Sequence, residues 1–292
     1  MVVTSSRSPA DGLYHLYDPV YEQGSLWSVI YTAHGIATDP TGPYNWSARA
    51  NISVADINPA ALVFVNASTG ATVYSIWIGG VILLADSADG PFLKSPYAYP
   101  GGDGSNPAPV FVNGTFYVTN QGTTEIWSTP SLDKPWANFA SVTHPAGLPY
   151  TVEDPYMWID PRGNWHVRLG GMPSLQTRTG NMTGPAAPPR AAQIINHAYN
   201  TAQQTNCSTS HVSSHFFSTD AKTWGWSDQP YGHTVVFDDG TWHSYCTLER
   251  PSLVFNEAGF ITHLHVAAGE RGEESFAQLP WQAWLTGHLA QT

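Results

Sequence analysis

Residues 58–92 read NPAALVFVNASTGATVYSIWIGGVILLADSADGPF, and the order of signals in this stretch decides the fold. Asn58-Pro59 opens an apolar run of strand length, Ala61 to Val65, and Gly70 marks a turn. Thr72 to Ile78 is a second run, β-branched and aromatic. The apolar stretch Ile76 to Ala85 is interrupted by Gly79-Gly80 and is about half the ~20 residues a membrane-spanning helix requires, so it reads as two buried strands or one bent one. Asp86 to Phe92 then closes the unit with an Asp-containing turn that ends in an aromatic. Strand, turn, strand, strand, Asp turn is the order of one antiparallel blade, and such sheets pack radially as a propeller.

Each signal recurs along the chain. A polar residue plus Pro opens an apolar run at Asn58, Asn106, Asp154 and Arg250. A turn Gly followed by an aromatic or His strand recurs at Gly12, Gly70, Gly114, Gly163 and Gly259, which gives five blades. The Asp turn recurs at Asp39 to Tyr44, Asp133 to Trp136 and Asp220 to Trp224; Asp39, Asp86 and Asp220 read as braces of the fold, not as a site. Further runs of strand composition are 109–112, 115–120, 164–169, 233–237, 252–255 and 260–266, whereas 191–204 has helix-forming composition. The expectation is an all-β chain in which 1–292 form one five-bladed β-propeller of antiparallel four-stranded blades. Its first blade is cut short, since residues 1–11 must hold the innermost strand, and blade four carries an insertion near 172–205.

Composition narrows the partners. The net charge is -11, from 11 Lys+Arg against 22 Asp+Glu, so no cationic surplus neutralises phosphates; nucleic acid is excluded as a partner and membrane insertion is not expected. Charged residues are 11% and aromatics 13%, which argues against disorder and long solvated helices. Sequons begin at Asn45, Asn51, Asn66, Asn113, Asn181 and Asn206, against roughly two or three from chance pairing, which fits a secreted or secretory-pathway glycoprotein. Cys207 and Cys246 are expected to form a disulfide in that compartment. The opening MVVTSSRSPADG lacks a signal-peptide pattern, so the reading takes either a removed leader or an incomplete chain. Motifs for serine-hydrolase, nucleotide and CxxC redox chemistry are missing from the sequence.

With these hairpins and Asp-Gly-Pro-aromatic turns the chain resembles the five-bladed propeller glycoside hydrolases of families 43, 32, 62 and 68. The resemblance implies a glycosidase acting on plant, algal or microbial saccharides, with three carboxylates around the axis: a base or nucleophile in blade one, a modulating Asp in blade three and a general-acid Glu in blade four. Glu153, in Glu153-Asp154-Pro155, matches the last of these. Blade three opens with Asn106-Pro107 where an Asp-Pro is expected, with Asp103 nearby, and Asp11 is the only carboxylate before the second strand of blade one. Those departures favour the alternative, a catalytically inactive carbohydrate-binding propeller.

A residue that opens an innermost strand faces the axis, so these side chains converge from different blades. Glycosidic cleavage needs one carboxyl to protonate the leaving oxygen and another to activate water or attack the anomeric carbon. The catalytic candidates are Glu153 as acid, Glu249 or Asp56 as base, and Asp154. In extended chain Glu153 and Asp154 would point to opposite sides, so only one would act, and Arg250 beside Glu249 would keep that Glu ionised. Asn58, Asn106, Arg250, Trp158, His166 and His215 are the candidate substrate-binding residues. No cofactor is required and no zinc signature is present, although His263 and His265 share a strand face and could chelate. The resemblance admits a structural Ca2+ or Na+ in the axial channel. A monomer with a carbohydrate substrate completes the expectation.

Overall fold

The computed structural model describes residues 2–3, 7–22, 29–49, 58–100, 106–142, 153–171, 212–228, 234–237, 239–245, 247–269 and 283–288. Among the described residues every regular element is a strand. Blade I pairs β1 (Val2–Val3), β2 (Tyr14–Tyr21), β3 (Val29–Ala37) and β4 (Asn45–Arg49) in that order. Blade II is β5 (Ala60–Val65), β6 (Thr72–Ile78), β7 (Val81–Ala85) and β8 (Leu93–Lys94). Blade III is β9 (Ala108–Val112), β10 (Thr115–Thr119), β11 (Glu125–Thr129) and β12 (Ala137–Ser141). Blade IV is β13 (Glu153–Ile159), β14 (Trp165–Gly171), β15 (Val212–Ser218) and β16 (Gly225–Asp228). A hairpin, β17 (Thr234–Val236) with β18 (Trp242–Ser244), precedes a three-stranded sheet of the same order, β19 (Thr247–Phe255), β20 (Ile261–Gly269) and β21 (Ala283–His288).

The innermost strands β1, β5, β9, β13 and β19 adjoin one another in sequence, and β19 returns to β1, so the ring closes around an axis. Between blades the core is cut into slices, because each strand buries alternate residues on opposite faces. On β6, Tyr74, Ile76 and Ile78 pack toward blade I with Tyr17, while Trp77 packs toward blade III with Phe116 and Val118. Ile126, Met157, Val167 and Phe216 fill the slice between blades III and IV, and Tyr14, Leu16 and Val254 the slice between the fifth sheet and blade I. A fully buried side chain of this size contributes about 1.5–3 kcal/mol. Such slices join sheets that share no hydrogen-bond ladder.

Up-and-down order fixes the two ends of the propeller. The five turn glycines all join first and second strands, with φ between 71° and 84°, a region open to Gly without penalty. The Asp turns join third and fourth strands at that same end, the base. Gly79-Gly80 joins β6 to β7 at the opposite end, the mouth, and resolves the Ile76–Ala85 run into two buried strands. Blade I, expected to be cut short, carries four strands in order, the innermost being Val2–Val3. Residues 172–211, the expected helix within them, Asp56, Asp103, Cys207 and Cys246 lie outside the described residues, as do the sequons at Asn51, Asn181 and Asn206.

Candidate functional site

At the mouth the four residues that precede the strand-opening prolines meet. Asn58, Asn106, Asp154 and Arg250 all have positive φ, between 45° and 53°. Asn and Asp tolerate this left-handed region, whereas an Arg there is strained, and strain of that kind costs on the order of 1–3 kcal/mol. In blade IV the ladder slips between Glu153 and Tyr156, and in the fifth sheet between Glu249 and Ser252, so Asp154-Pro155 and Arg250-Pro251 form bulges. A bulge re-aims its side chain. For this reason the extended-chain alternation assumed for Glu153 and Asp154 does not hold: Asp154 is not extended.

The re-aimed side chains form a directed chain across the axis. Asn58 Nδ2 donates to Asn106 Oδ1 at 2.5 Å, and Asn106 Nδ2 donates to Asp154 Oδ1 at 2.7 Å. Arg250 Nε stands 3.8 Å from that same Asp154 oxygen. The guanidinium therefore attends Asp154, a partner that sequence adjacency to Glu249 did not suggest. Aligned donors of this sort polarise one another. They ring the top of an axial cavity of about 260 Å³ whose deeper wall is apolar, with Leu62, Val110 and Met157 among its residues. Glu153 begins β13 opposite Gly170, and Glu249 lies on β19 opposite Ala267. Their backbones flank the ring; their side chains lie outside the described residues.

The other candidates sit elsewhere. Trp158 reaches the axial cavity but is 7% exposed, and a ring face is covered by His166 and His215, at centroid distances of 4.8 and 5.4 Å. His166 and His215 are not among the residues that line that cavity; they hydrogen-bond to each other at 3.0 Å between the blade layers. Burial, reinforced by His263, pushes His265 down to about 4, and among the described residues no three His, Cys, Asp or Glu side chains converge as a metal site. Asp39 and Asp220 accept hydrogen bonds within their own turns, Asp220 from the Lys222 and Thr223 amides at 2.8 Å each. The four belong to one repeat: Asn58, Asn106 and Asp154 are 48 residues apart, with Arg250 twice that distance on, and what the sequence did not show is that their side chains bond to one another.

No family model and no curated relative matches this sequence. Among solved structures, the endo-arabinase of Bacteroides thetaiotaomicron is similar at a TM-score of 0.55 and 9% identity, over 100% of this chain and 93% of that one. An α-L-arabinofuranosidase of Fusarium graminearum, solved with an iminosugar inhibitor, is similar at a TM-score of 0.56 and 10% identity, over 95% and 90%. At such identities the likeness is one of architecture, and it agrees with the blade order and the closed ring. This chain has the β-propeller fold that it shares with these two structures, with five innermost strands closed in a ring.

Proposed function

We propose that the chain is a glycoside hydrolase that cleaves an oligo- or polysaccharide at the axial mouth. The observation that carries this reading is the convergence of a carboxylate, a guanidinium and two carboxamides from four blades over a cavity, on a fold whose solved neighbours include glycosidases. Such a ring offers alternating donors and acceptors to sugar hydroxyls. Glu153, one residue before the re-aimed Asp154, is assigned as the acid that gives its proton to the glycosidic oxygen. Glu249 or Asp56 is assigned as the base, and takes a proton from the water that attacks the anomeric carbon. Asn58, Asn106, Asp154 and Arg250 hold the sugar, and the separation of the two carboxyls decides inversion or retention. No cofactor enters this chemistry. The sequons at the exposed Asn45 and Asn113 support a secreted protein.

One observation favours a second reading, a carbohydrate-binding propeller: blade III presents Asn106 where a carboxylate would serve catalysis. A hydrolysis screen against arabino-, xylo-, galacto- and fructo-oligosaccharides separates the two, with Glu153→Gln and Glu249→Gln run in parallel. Turnover that falls on the order of 10²–10⁴-fold in Glu153→Gln supports the acid assignment. Sugar binding without turnover by the folded protein replaces the hydrolase with the binding module. Turnover indifferent to both substitutions would move the site away from the mouth.

A further inference from the structure

At the base of blade I four titratable groups stand in a line. His15 Nδ1 and His34 Nε2 are 3.0 Å apart, with the two rings nearly coplanar at 8°. Beyond them, His34 Nδ1 is 2.7 Å from Asp89 Oδ1, and His15 Nε2 is 3.2 Å from Asp11 Oδ2. Both imidazoles are 1% exposed, whereas the Asp11 and Asp89 carboxylates are 38% and 72% exposed. Asp11 belongs to the β1–β2 turn, Asp89 to the β7–β8 turn of the next blade, and the two help line a cavity of about 280 Å³. The donors lie in sequence along a line and do not surround a point, so the set is not built for a metal ion.

Counting protons shows what the set is built for. Three contacts join four groups, and each needs a hydrogen between its two heavy atoms. Two neutral imidazoles carry two hydrogens, and two ionised carboxylates carry none. One contact is therefore unmade unless a third proton enters. All three separations, 2.7 Å at Asp89, 3.0 Å between the rings and 3.2 Å at Asp11, are hydrogen-bond distances, so each contact calls for its own hydrogen. We propose that Asp11, His15, His34 and Asp89 form a proton-binding chain that takes up one proton beyond those of its neutral imidazoles, and thereby completes a tie between the β1–β2 turn of blade I and the β7–β8 turn of blade II.

The surroundings are consistent with a shared proton. Tyr17 stacks on His34 at 4.8 Å, and Tyr74 from β6 meets His15 edge-on at 5.5 Å while its hydroxyl is engaged by Ser8. Asp86 also faces the cavity, and Arg7 is turned away to the Thr38 carbonyl. Among the described residues around the chain, no cation competes for its carboxylates. Burial pushes His34 below its ordinary value and Asp89 opposes that shift, so the third proton enters on the acid side of neutrality. Such coupled groups titrate as a unit.

The test is ring 15N NMR of the full chain labelled at histidine, followed from pH 8 to pH 4.5, for the native protein and for Asp89→Asn and Asp11→Asn. Both variants change exposed or half-exposed turn residues at the end away from the mouth. One imidazolium should appear on the assigned His15–His34 pair, and each variant should lower the pair's proton affinity about tenfold or more, since an opposite charge at one end of the chain is lost. An affinity unmoved in both variants, or moved in only one, overturns the shared chain. So does a pair that titrates as two independent histidines. Hydrolysis at the mouth should be the same in both variants, which keeps this result separate from the glycosidase assignment.

Discussion

In blade I a histidine three residues past the turn glycine, His15, meets a second histidine diagonally across the β2–β3 ladder; in blade IV His166 meets His215 on the same diagonal of β14–β15. Each dyad has an aromatic stacked on it, Tyr17 on His34 and Trp158 on both rings of the second pair. The wiring beyond the dyads differs. Asp160, the carboxylate nearest His166, accepts from Arg162 Nε and Nη2 at 3.0 and 2.7 Å and from Asn164 Nδ2 at 2.9 Å, leaving His166 Nε2 3.5 Å away. With Arg162 and Asn164 on the same carboxylate, Asp160 is a more distant partner for His166 than Asp89 is for His34, which it meets at 2.7 Å. In blade I, among the described residues, no Arg stands on Asp11, and a carboxylate lies at each end of the dyad. A repeat thus preserves packing, which every blade needs, and leaves the outer partners of the same side chains free to diverge.

Removing the stacked aromatics should break both dyads and have the largest effect. Trp158→Ala and Tyr17→Ala each delete a buried ring and should cost about 3–5 kcal/mol in denaturant unfolding, as large-to-small core changes do. A cost under 1 kcal/mol for Trp158 would mean that its ring is not part of the core and is available to a sugar. His265 provides a third wiring to set beside the dyads, held down to about 4 by burial and by His263. With the folded value below the unfolded one, its contribution is present above about pH 6.5 and lost as pH falls through 4, a loss of about 3 kcal/mol. In His265→Leu the stability-versus-pH curve should flatten in that window, and an unchanged slope would assign the loss to another group.

Asp160 sharpens the contrast from the carboxylate side. Burial raises its value, but hydrogen bonds from Asn164 and Arg162 outweigh that and hold it well below the ordinary carboxylate range. Its stabilisation is therefore complete above about pH 4 and lost as pH falls through its lower folded value. Asp160→Asn should destabilise by about 2 kcal/mol at pH 7 and flatten the acid limb of the curve, measured by urea unfolding at several pH values. If the native acid limb lies above pH 5, Asp160 does not control it.

The architecture was legible because its signals are local. Strand β6 coincides with the Thr72–Ile78 run, and each turn glycine and Asp turn falls where one strand gives way to the next. Pairing across the propeller was less legible, since it depends on backbone and side-chain geometry that local patterns do not contain. Asp154 looked like one member of an extended Glu-Asp pair, and its positive φ became apparent only once the bulge was seen. The two dyads hid their equivalence behind chain length: 19 residues separate His15 from His34, but 49 separate His166 from His215, because residues 172–211 lie between β14 and β15. The matching offsets from Gly12 and Gly163 were the available clue.

The smallest effect compares two glycines beneath aromatics in these same blades. A Cβ added to Gly225 on β16 would lie 2.6 Å from the Phe217 ring, whereas one on Gly35 of β3 would lie 3.2 Å from Trp46. Trp46 is 50% exposed and can tilt outward by the few tenths of an ångström required. Phe217 lies 5.9 Å from His215, so its displacement presses on the dyad. Gly225→Ala should cost about 1–2 kcal/mol as an overpacked site, and Gly35→Ala less than half of that. The two thermal midpoints, measured together, decide the point: equal shifts would mean that the blade IV ring is as free to move as the solvent-facing Trp46, and that the His166–His215 pair does not brace it.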